Sequence, residues 1–275
     1  MLKKAYVEIT NVCNLSCRFC PGTARKARFM SEEEFALVAS RLRGQAEYLY
    51  LHLMGEPLLH PSLGAILSIA LEAGFKVMLT TNGTLLPARA EELIAAPALR
   101  KISISLQSFE ANERGELKSY VNQCADFAAR AAEAGKLCEL RLWNRGGYDS
   151  LNGEILSLLE GRFPPPWDSG GRSVKLAERV WLADGDMFDW PSLSAGDRGE
   201  SCFCHGLRDQ IGVLCDGTVV PCCLDHEGDV PLGNIFSSEL SYILSGERAR
   251  AIYDGFSERR AVEELCRRCG YARRF

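Results

Sequence analysis

Short apolar runs alternate with longer stretches in which apolar residues recur at helical spacing through most of this chain. The short runs predict strands over Ala5–Thr10, Tyr48–Leu53, Lys76–Thr80, Lys101–Leu106, Leu137–Leu142 and Ser173–Trp181. The amphipathic stretches predict helices near Ser31–Leu42, Ser62–Ala73, Arg89–Ala95, Leu117–Ala134 and Glu154–Leu159. Ser31-Glu32-Glu33-Glu34 reads as a capping box opening the first helix, and Gly74 and Gly135 stand where two helices should stop. Repeated strand–helix order implies a parallel sheet with right-handed crossovers. Six such units predict an α/β fold, a partial (β/α)6 TIM-type barrel, with a doubly wound sheet as the alternative.

The pattern changes later in the chain. Phe163–Gly171 contains Pro164-Pro165-Pro166 and a glycine pair and predicts a loop. From about Gly199 cysteines become dense, and Asp216-Gly217 between Gly212–Cys215 and Thr218–Pro221 signals a hairpin turn. A boundary near Asp184–Gly199 divides the chain into a barrel over 1–190 and a small cysteine-rich domain over 191–275.

Composition narrows the function classes. The 275 residues are 47% hydrophobic, enough for one substantial core. With 32 basic and 36 acidic residues the formal charge is -4, which gives no electrostatic case for nucleic acid or a membrane surface. No apolar run reaches the roughly 20 residues that span a bilayer. Met1–Thr10 reads as a first strand and not as a signal peptide, which suggests a cytoplasmic protein. Twelve cysteines are then better explained by metal binding than by disulfides.

Three of them, Cys13, Cys17 and Cys20, follow the first strand with the spacing Cys-x3-Cys-x2-Cys. Barrels of this class carry their chemistry on loops after strand C-termini, where this group falls. Three close thiolates suit iron–sulfur or zinc. On a four-iron cluster they would leave one iron open, as a catalytic metal site requires. Zinc with a distant fourth ligand is the alternative.

The group resembles the signature of the radical S-adenosylmethionine (SAM) superfamily, with Phe19 at its aromatic position. Leu53-Met54-Gly55-Glu56-Pro57 is similar to that family's Gly-Gly-Glu-Pro motif, with Met54 in place of the first glycine. Thr80-Thr81-Asn82-Gly83 is similar to its Thr-Asn-Gly, and Ser103, Ser105 and Gln107 mark the next strand end. The resemblance implies a [4Fe–4S] cluster on Cys13, Cys17 and Cys20. It also implies SAM held near Phe19, Gly55, Glu56, Asn82 and Ser105, with the SAM ammonium at Glu56. Reductive cleavage of SAM would give a 5′-deoxyadenosyl radical that abstracts hydrogen. Arg145 in Trp143-Asn144-Arg145-Gly146-Gly147 reads either as a clamp on an anionic group of SAM or substrate, or as a solvated loop arginine.

Cys202, Cys204, Cys215, Cys222, Cys223, Cys266 and Cys269 occupy the C-terminal part. Asp216–Asp225 resembles the core of SPASM and twitch auxiliary-cluster domains. The shorter twitch type implies a second [4Fe–4S] cluster on Cys204, Cys222, Cys266 and Cys269, with Cys202 and Cys223 as substitutes. A four-cysteine zinc ribbon would use the same residues. Cys124 and Cys138 read as buried thiols. His205 and His226 are assigned to no metal.

The resemblance gives a chemistry and leaves the substrate open. Its implied outcome is net oxidation of a small molecule, with the auxiliary cluster accepting an electron and flavodoxin or ferredoxin as the reductant. Peptide modification is the alternative, against which the barrel's early start leaves no preceding recognition domain. A non-enzymatic, zinc-ribbon-like binding protein is the alternative from another class. No catalytic base is selected among Asp184, Asp186, Asp189 and Asp225.

Overall fold

The structure, a computed structural model, describes residues 2–112, 115–170 and 173–274. The chain opens as β1 (Leu2–Val7), α1 (Glu32–Leu42), β2 (Ala46–Tyr50), α2 (Leu63–Glu72), β3 (Lys76–Thr81) and α3 (Leu86–Ala95). It continues as β4 (Leu99–Ser105), α4 (Leu117–Glu133), β5 (Leu137–Arg145) and α5 (Asn152–Arg162). A hairpin of β6 (Asp168–Gly170) and β7 (Ser173–Ala177) then leads into β8 (Val180–Asp186). β1, β2, β3, β4, β5 and β8 are adjacent in that order and parallel, the six strands of an open (β/α)6 barrel.

Side-chain alternation explains why the strands sit as they do. Ala5 and Val7, Leu49 and Leu51, Val77 and Leu79, Ile102 and Ile104, and Leu140 and Leu142 are buried in one core with the helices. That core includes Phe35, Val38 and Leu42 of α1 and Val121, Phe127 and Ala128 of α4. The capping box forms as expected: Ser31 Oγ accepts from Glu34 N, and the Glu34 carboxylate accepts from Ser31 N. Gly74 and Gly135 have φ of 86° and 84°, the left-handed geometry that ends α2 and α4.

Two expectations need correction. The apolar run Ser173–Trp181 is not one strand: it turns at Glu178-Arg179, with Arg179 at φ 61°, so that β7 pairs antiparallel with β8. The sixth parallel strand therefore begins at Val180. The segment after the prolines is not all loop, because Asp168–Gly170 pairs with β7; Gly171 lies outside the described residues.

The C-terminal part extends the same sheet. β9 (Gln210–Val213) runs parallel to β1, and β10 (Thr218–Val220) and β11 (Gly233–Asn234) follow antiparallel. The expected turn at Asp216-Gly217 forms, with Gly217 at φ 84°. α6 (Leu240–Leu244), α7 (Glu247–Ser257) and α8 (Glu264–Arg267) complete the chain, and Ile252, Phe256 and Leu265 join the main core. No described helix is long and apolar enough to cross a membrane.

Candidate active site between two cysteine sets

Cys13, Cys17 and Cys20 lie on the loop between β1 and α1. Cys13 and Cys20 are exposed and Cys17 is partly so. The loop is irregular, so side chains fix it. Asn112 Nδ2 donates to Cys17 Sγ at 3.1 Å, and Asn112 Oδ1 accepts from Ser16 N at 2.9 Å. Asn82 Nδ2 donates to Asn14 Oδ1 at 2.9 Å and lies 4.0 Å from Cys13 Sγ. Backbone approach does the rest. Gly55 sits at φ 76° against Thr10–Val12, where an added Cβ would meet Val12 O at 2.9 Å, and Glu56 N donates to Val12 O at 2.8 Å. Only glycine permits that contact.

Glu56 ties this turn to the next strand end. It is 2% exposed, and its carboxylate accepts from Thr81 Oγ1 at 2.7 Å, Asn82 N at 2.7 Å and Leu58 N at 3.0 Å. Burial pushes its pKa up to about 7 against the pull of those donors. The structure thus brings Gly55, Glu56 and Asn82 to the cysteine loop, with the Glu56 carboxylate turned to protein donors. Gly83, at φ 81°, packs over Cys124, whose Sγ an added Cβ would meet at 2.9 Å; Cys124 and Cys138 are core thiols.

A cavity of about 540 Å³ opens inside the barrel. Phe19 of the first cysteine loop and Ser105 line it, as do Cys204, Cys222, Cys223, Cys266 and Cys269. Burial raises the pKa of Cys204 to about 11, and those of Cys222 and Cys266 further; each also senses the charge of other cysteines in the group, and Cys204 and Cys266 that of Cys202. Tyr6 and Cys223 pack against the same small cluster of Leu53, Leu214 and Val220, which places that thiol beside β1. Cys215 lies apart, against Glu8.

Two thiol sets of this kind fit iron–sulfur clusters. Three thiols on one loop and a group of thiols on one cavity wall are the donor sets such clusters take, each sulfur binding its own iron.

Arg145 falls outside the cavity lining. Its side chain is 58% exposed and paired with Asp184, and with Asp186 at 3.6 Å. The inward arginine is Arg141, on the wall with its guanidinium 4.5 Å from the Trp143 ring centre. Strand alternation could have selected it, since Arg141 and Trp143 oppose the buried Leu140 and Leu142. Of the four acidic candidates only Asp225 lines the cavity, and its carboxylate accepts from the Asp229 and Val230 amides at 2.8 and 2.9 Å.

Glu8 and Arg25 were not singled out in the sequence. Glu8 is fully buried at the end of β1 and pairs with Arg25 at 2.7 Å. It also accepts from Met54 N at 3.1 Å and Cys215 N at 3.2 Å, while Arg25 Nε donates to His226 O at 2.9 Å. This pair locks the first cysteine loop to the C-terminal segment.

Residues 7–139 match the family model of the radical SAM superfamily, and residues 202–270 match SPASM, an iron–sulfur cluster-binding domain. The chain is similar to an AdoMet-dependent heme synthase of Methanosarcina barkeri, at 29% identity over 107 residues, 38% of this chain and 31% of that protein. It is also similar to a probable GTP 3′,8-cyclase of Methanocella arvoryzae, at 33% over 120 residues, 43% of this chain and 37% of that protein. The matches therefore span well under half the length of these curated relatives. Among solved structures, BtrN in complex with AdoMet and 2-DOIA superposes with a TM-score of 0.62 at 17% identity, covering 98% of this chain and 93% of that one. Streptococcus suis SuiB bound to S-adenosylmethionine gives 0.63 at 16%, covering 98% and 71%. At such identities the likeness is one of fold.

Proposed function

This chain belongs to the radical SAM superfamily and carries a SPASM iron–sulfur cluster-binding domain, and on that premise we propose that it oxidises a small molecule by two electrons. The observation that supports this is a single cavity lined both by Phe19, between Cys17 and Cys20, and by Cys204, Cys222, Cys266 and Cys269. When bound, the first cluster with SAM supplies a 5′-deoxyadenosyl radical that removes a hydrogen atom, and the second cluster supplies an acceptor for one electron.

The chain's own residues do the positioning. Cys13, Cys17 and Cys20 would hold the first cluster, with Asn112 donating to the Cys17 sulfur and Asn82 standing beside Cys13. Gly55 and Ser105 would border SAM, and Glu56 would act by fixing Asn82 through its amide. Cys204, Cys222, Cys266 and Cys269 would hold the second cluster with no ligand position left over. The barrel wall then keeps the substrate between the two, which excludes water from a reactive carbon.

The electron count gives the test. Oxidation of an alcohol to a carbonyl releases one hydrogen atom, one proton and one electron. The returned electron can prime the next turnover, so reductant is needed only to start. The reconstituted enzyme should be incubated with SAM and a panel of small alcohols and amino alcohols deuterated at the carbinol carbon. We expect deuterium in 5′-deoxyadenosine, a carbonyl product, and several turnovers per electron supplied. Deuterium in 5′-deoxyadenosine with a product at the oxidation level of the alcohol, rearranged or eliminated, would overturn net oxidation; one reductant electron consumed per carbonyl would overturn only the return of the electron.

A further inference from the structure

We propose that the barrel lumen contains an anion subsite in which Lys4 and Arg141 hold a carboxylate or phosphate group of the substrate. This deepens the reading of the cavity as a substrate site and rests on it.

Barrels of this class fill their interior with branched aliphatic side chains. Here the inward positions carry Lys4 and Tyr6 from β1, Tyr50 and His52 from β2 and the turn after it, and Arg141 and Trp143 from β5, all on the cavity wall. Such a lining is suited to a polar ligand.

On the β1 and β5 side of the cavity the charges do not cancel. Lys4 Nζ lies 5.5 and 5.6 Å from the ring centres of Tyr6 and Tyr50, and no described carboxylate comes within ion-pair distance of it. A cation over aromatic rings is positioned but not neutralised. Arg141 Nε pairs with Glu139 at 2.6 Å and Nη1 meets Thr80 Oγ1 at 3.4 Å, which leaves Nη2 without a partner among the described residues. Glu139 also pairs with Lys101. Lys4, Lys101 and Arg141 against Glu139 give 3 − 1 = +2 around His52, whose pKa burial and these three cations push down to about 3, so that it stays neutral.

The acids facing the cavity come from the C-terminal segment. Asp209 Oδ2 pairs with His205 Nδ1 at 3.2 Å while its buried Oδ1 has no partner among the described residues, and the Asp225 oxygens accept from backbone amides; these negative groups sit on the C-terminal wall of the cavity and the cations on the β1 and β5 side. An excess of positive charge in a partly desolvated lumen attracts an anion more strongly than the same charge at the surface. A guanidinium offers the planar fork that oxyanions fit. Gln107 adds a second element: it is 6% exposed, lines the cavity, and its buried Oε1 has no hydrogen-bond partner. That oxygen would accept from a hydroxyl or amino group. The substrate class is therefore a small carboxylic acid or phosphate ester that also carries a hydroxyl or amine.

Isothermal titration of the reconstituted full chain, with inorganic phosphate and with acetate as separate probes, tests this. We expect saturable binding of at least one probe, weakened at least about tenfold in Lys4→Gln and in Arg141→Gln and retained in Lys4→Arg. Binding should also fade between about 50 mM and about 500 mM salt. Phosphate binding alone would specify a phosphate ester; binding of both would admit either group. Absence of saturable binding overturns the proposal. So does unchanged affinity in both charge-removing variants, and if their iron content falls instead, the cations serve the C-terminal thiolates. Deuterium transfer on the same preparations separates the two readings. Anion binding without SAM cleavage sinks the radical oxidation alone, and cleavage without anion binding sinks the subsite alone.

Discussion

Cys13, Cys17 and Cys20 stand on one short, largely exposed loop, whereas Cys204, Cys222, Cys266 and Cys269 are gathered from segments far apart in the chain. The first group is held from outside, by Asn112, Asn82 and the backbone of Gly55 and Glu56. The second is part of the packing: Cys204, Cys266 and Cys269 rest against the main hydrophobic core. An exposed set leaves room for a ligand that comes and goes, and a wrapped set does not. Metal in the second set should therefore be folding energy as well as chemistry, because its buried thiols must give up protons to bind it.

The largest expected effect breaks this contrast at either end. The Cys13/Cys17/Cys20→Ala variant should fall from about eight irons to about four and lose 5′-deoxyadenosine formation altogether, with a nearly unchanged melting temperature. A Cys266→Ala/Cys269→Ala variant should also fall to about four irons, yet keep SAM cleavage and melt about 10 °C lower. Iron analysis, product assay and calorimetry on both would decide it. Equal melting shifts in the two variants would mean that the contrast in burial has no energetic counterpart.

The Glu8–Arg25 pair sharpens the comparison, because it joins the two regions. Removing Arg25 leaves a fully buried carboxylate with two backbone amide donors and the neutral Cys215 thiol beside it. Breaking a buried pair from one side costs about 3–5 kcal/mol. Arg25→Ala should be destabilised by that order in denaturant unfolding, and Arg25→Ala/Glu8→Gln by less, since the orphaned charge is gone. A double variant worse than the single one would show that the charge is not what matters.

Much of the barrel was legible because strand alternation and helix periodicity both point to one core. Boundaries drifted where the backbone leaves the strand before the apolar run ends, as at Ile9, which is buried beyond β1. The break at Arg179 was hard to see because Val174–Ala177 and Val180–Ala183 are both largely apolar and only Glu178 and the left-handed Arg179 separate them. The first cysteine set was marked by its spacing, whereas the second followed only from the resemblance to auxiliary-cluster domains, and the structure sets Cys223 on the same cavity wall as Cys204, Cys222, Cys266 and Cys269. Asn112 could not be read: it meets Cys17 across 95 residues, and nothing local marks it. Glu8 reads as the polar end of a strand, and its burial depends on a C-terminal segment that folds back beside it. Arg145 drew attention by its glycine-flanked loop, but a register shift between Leu142 and Arg145 carries it to Asp184 and Asp186 on β8.

The smallest expected effect concerns the hinge between the first cysteine loop and the sheet. Glu56 has a folded pKa of about 7, above the usual 4.5, because burial outweighs its three donors. Between those values the folded chain binds the proton more tightly than the unfolded chain does. Its contribution is thus fully present below about pH 4.5 and is lost as pH rises through about 7. The shift corresponds to about 3 kcal/mol across that window. Chemical denaturation of the wild type should show stability declining from pH 5.5 to 7.5 by a share of this, about 2 kcal/mol. Glu56→Gln removes the titrating group and should flatten the slope, whatever it costs in hydrogen bonds to Asn82 and Thr81. A slope unchanged in Glu56→Gln would assign the pH dependence to another group and leave Glu56 ionised throughout, the state in which all three donors bond a full negative charge.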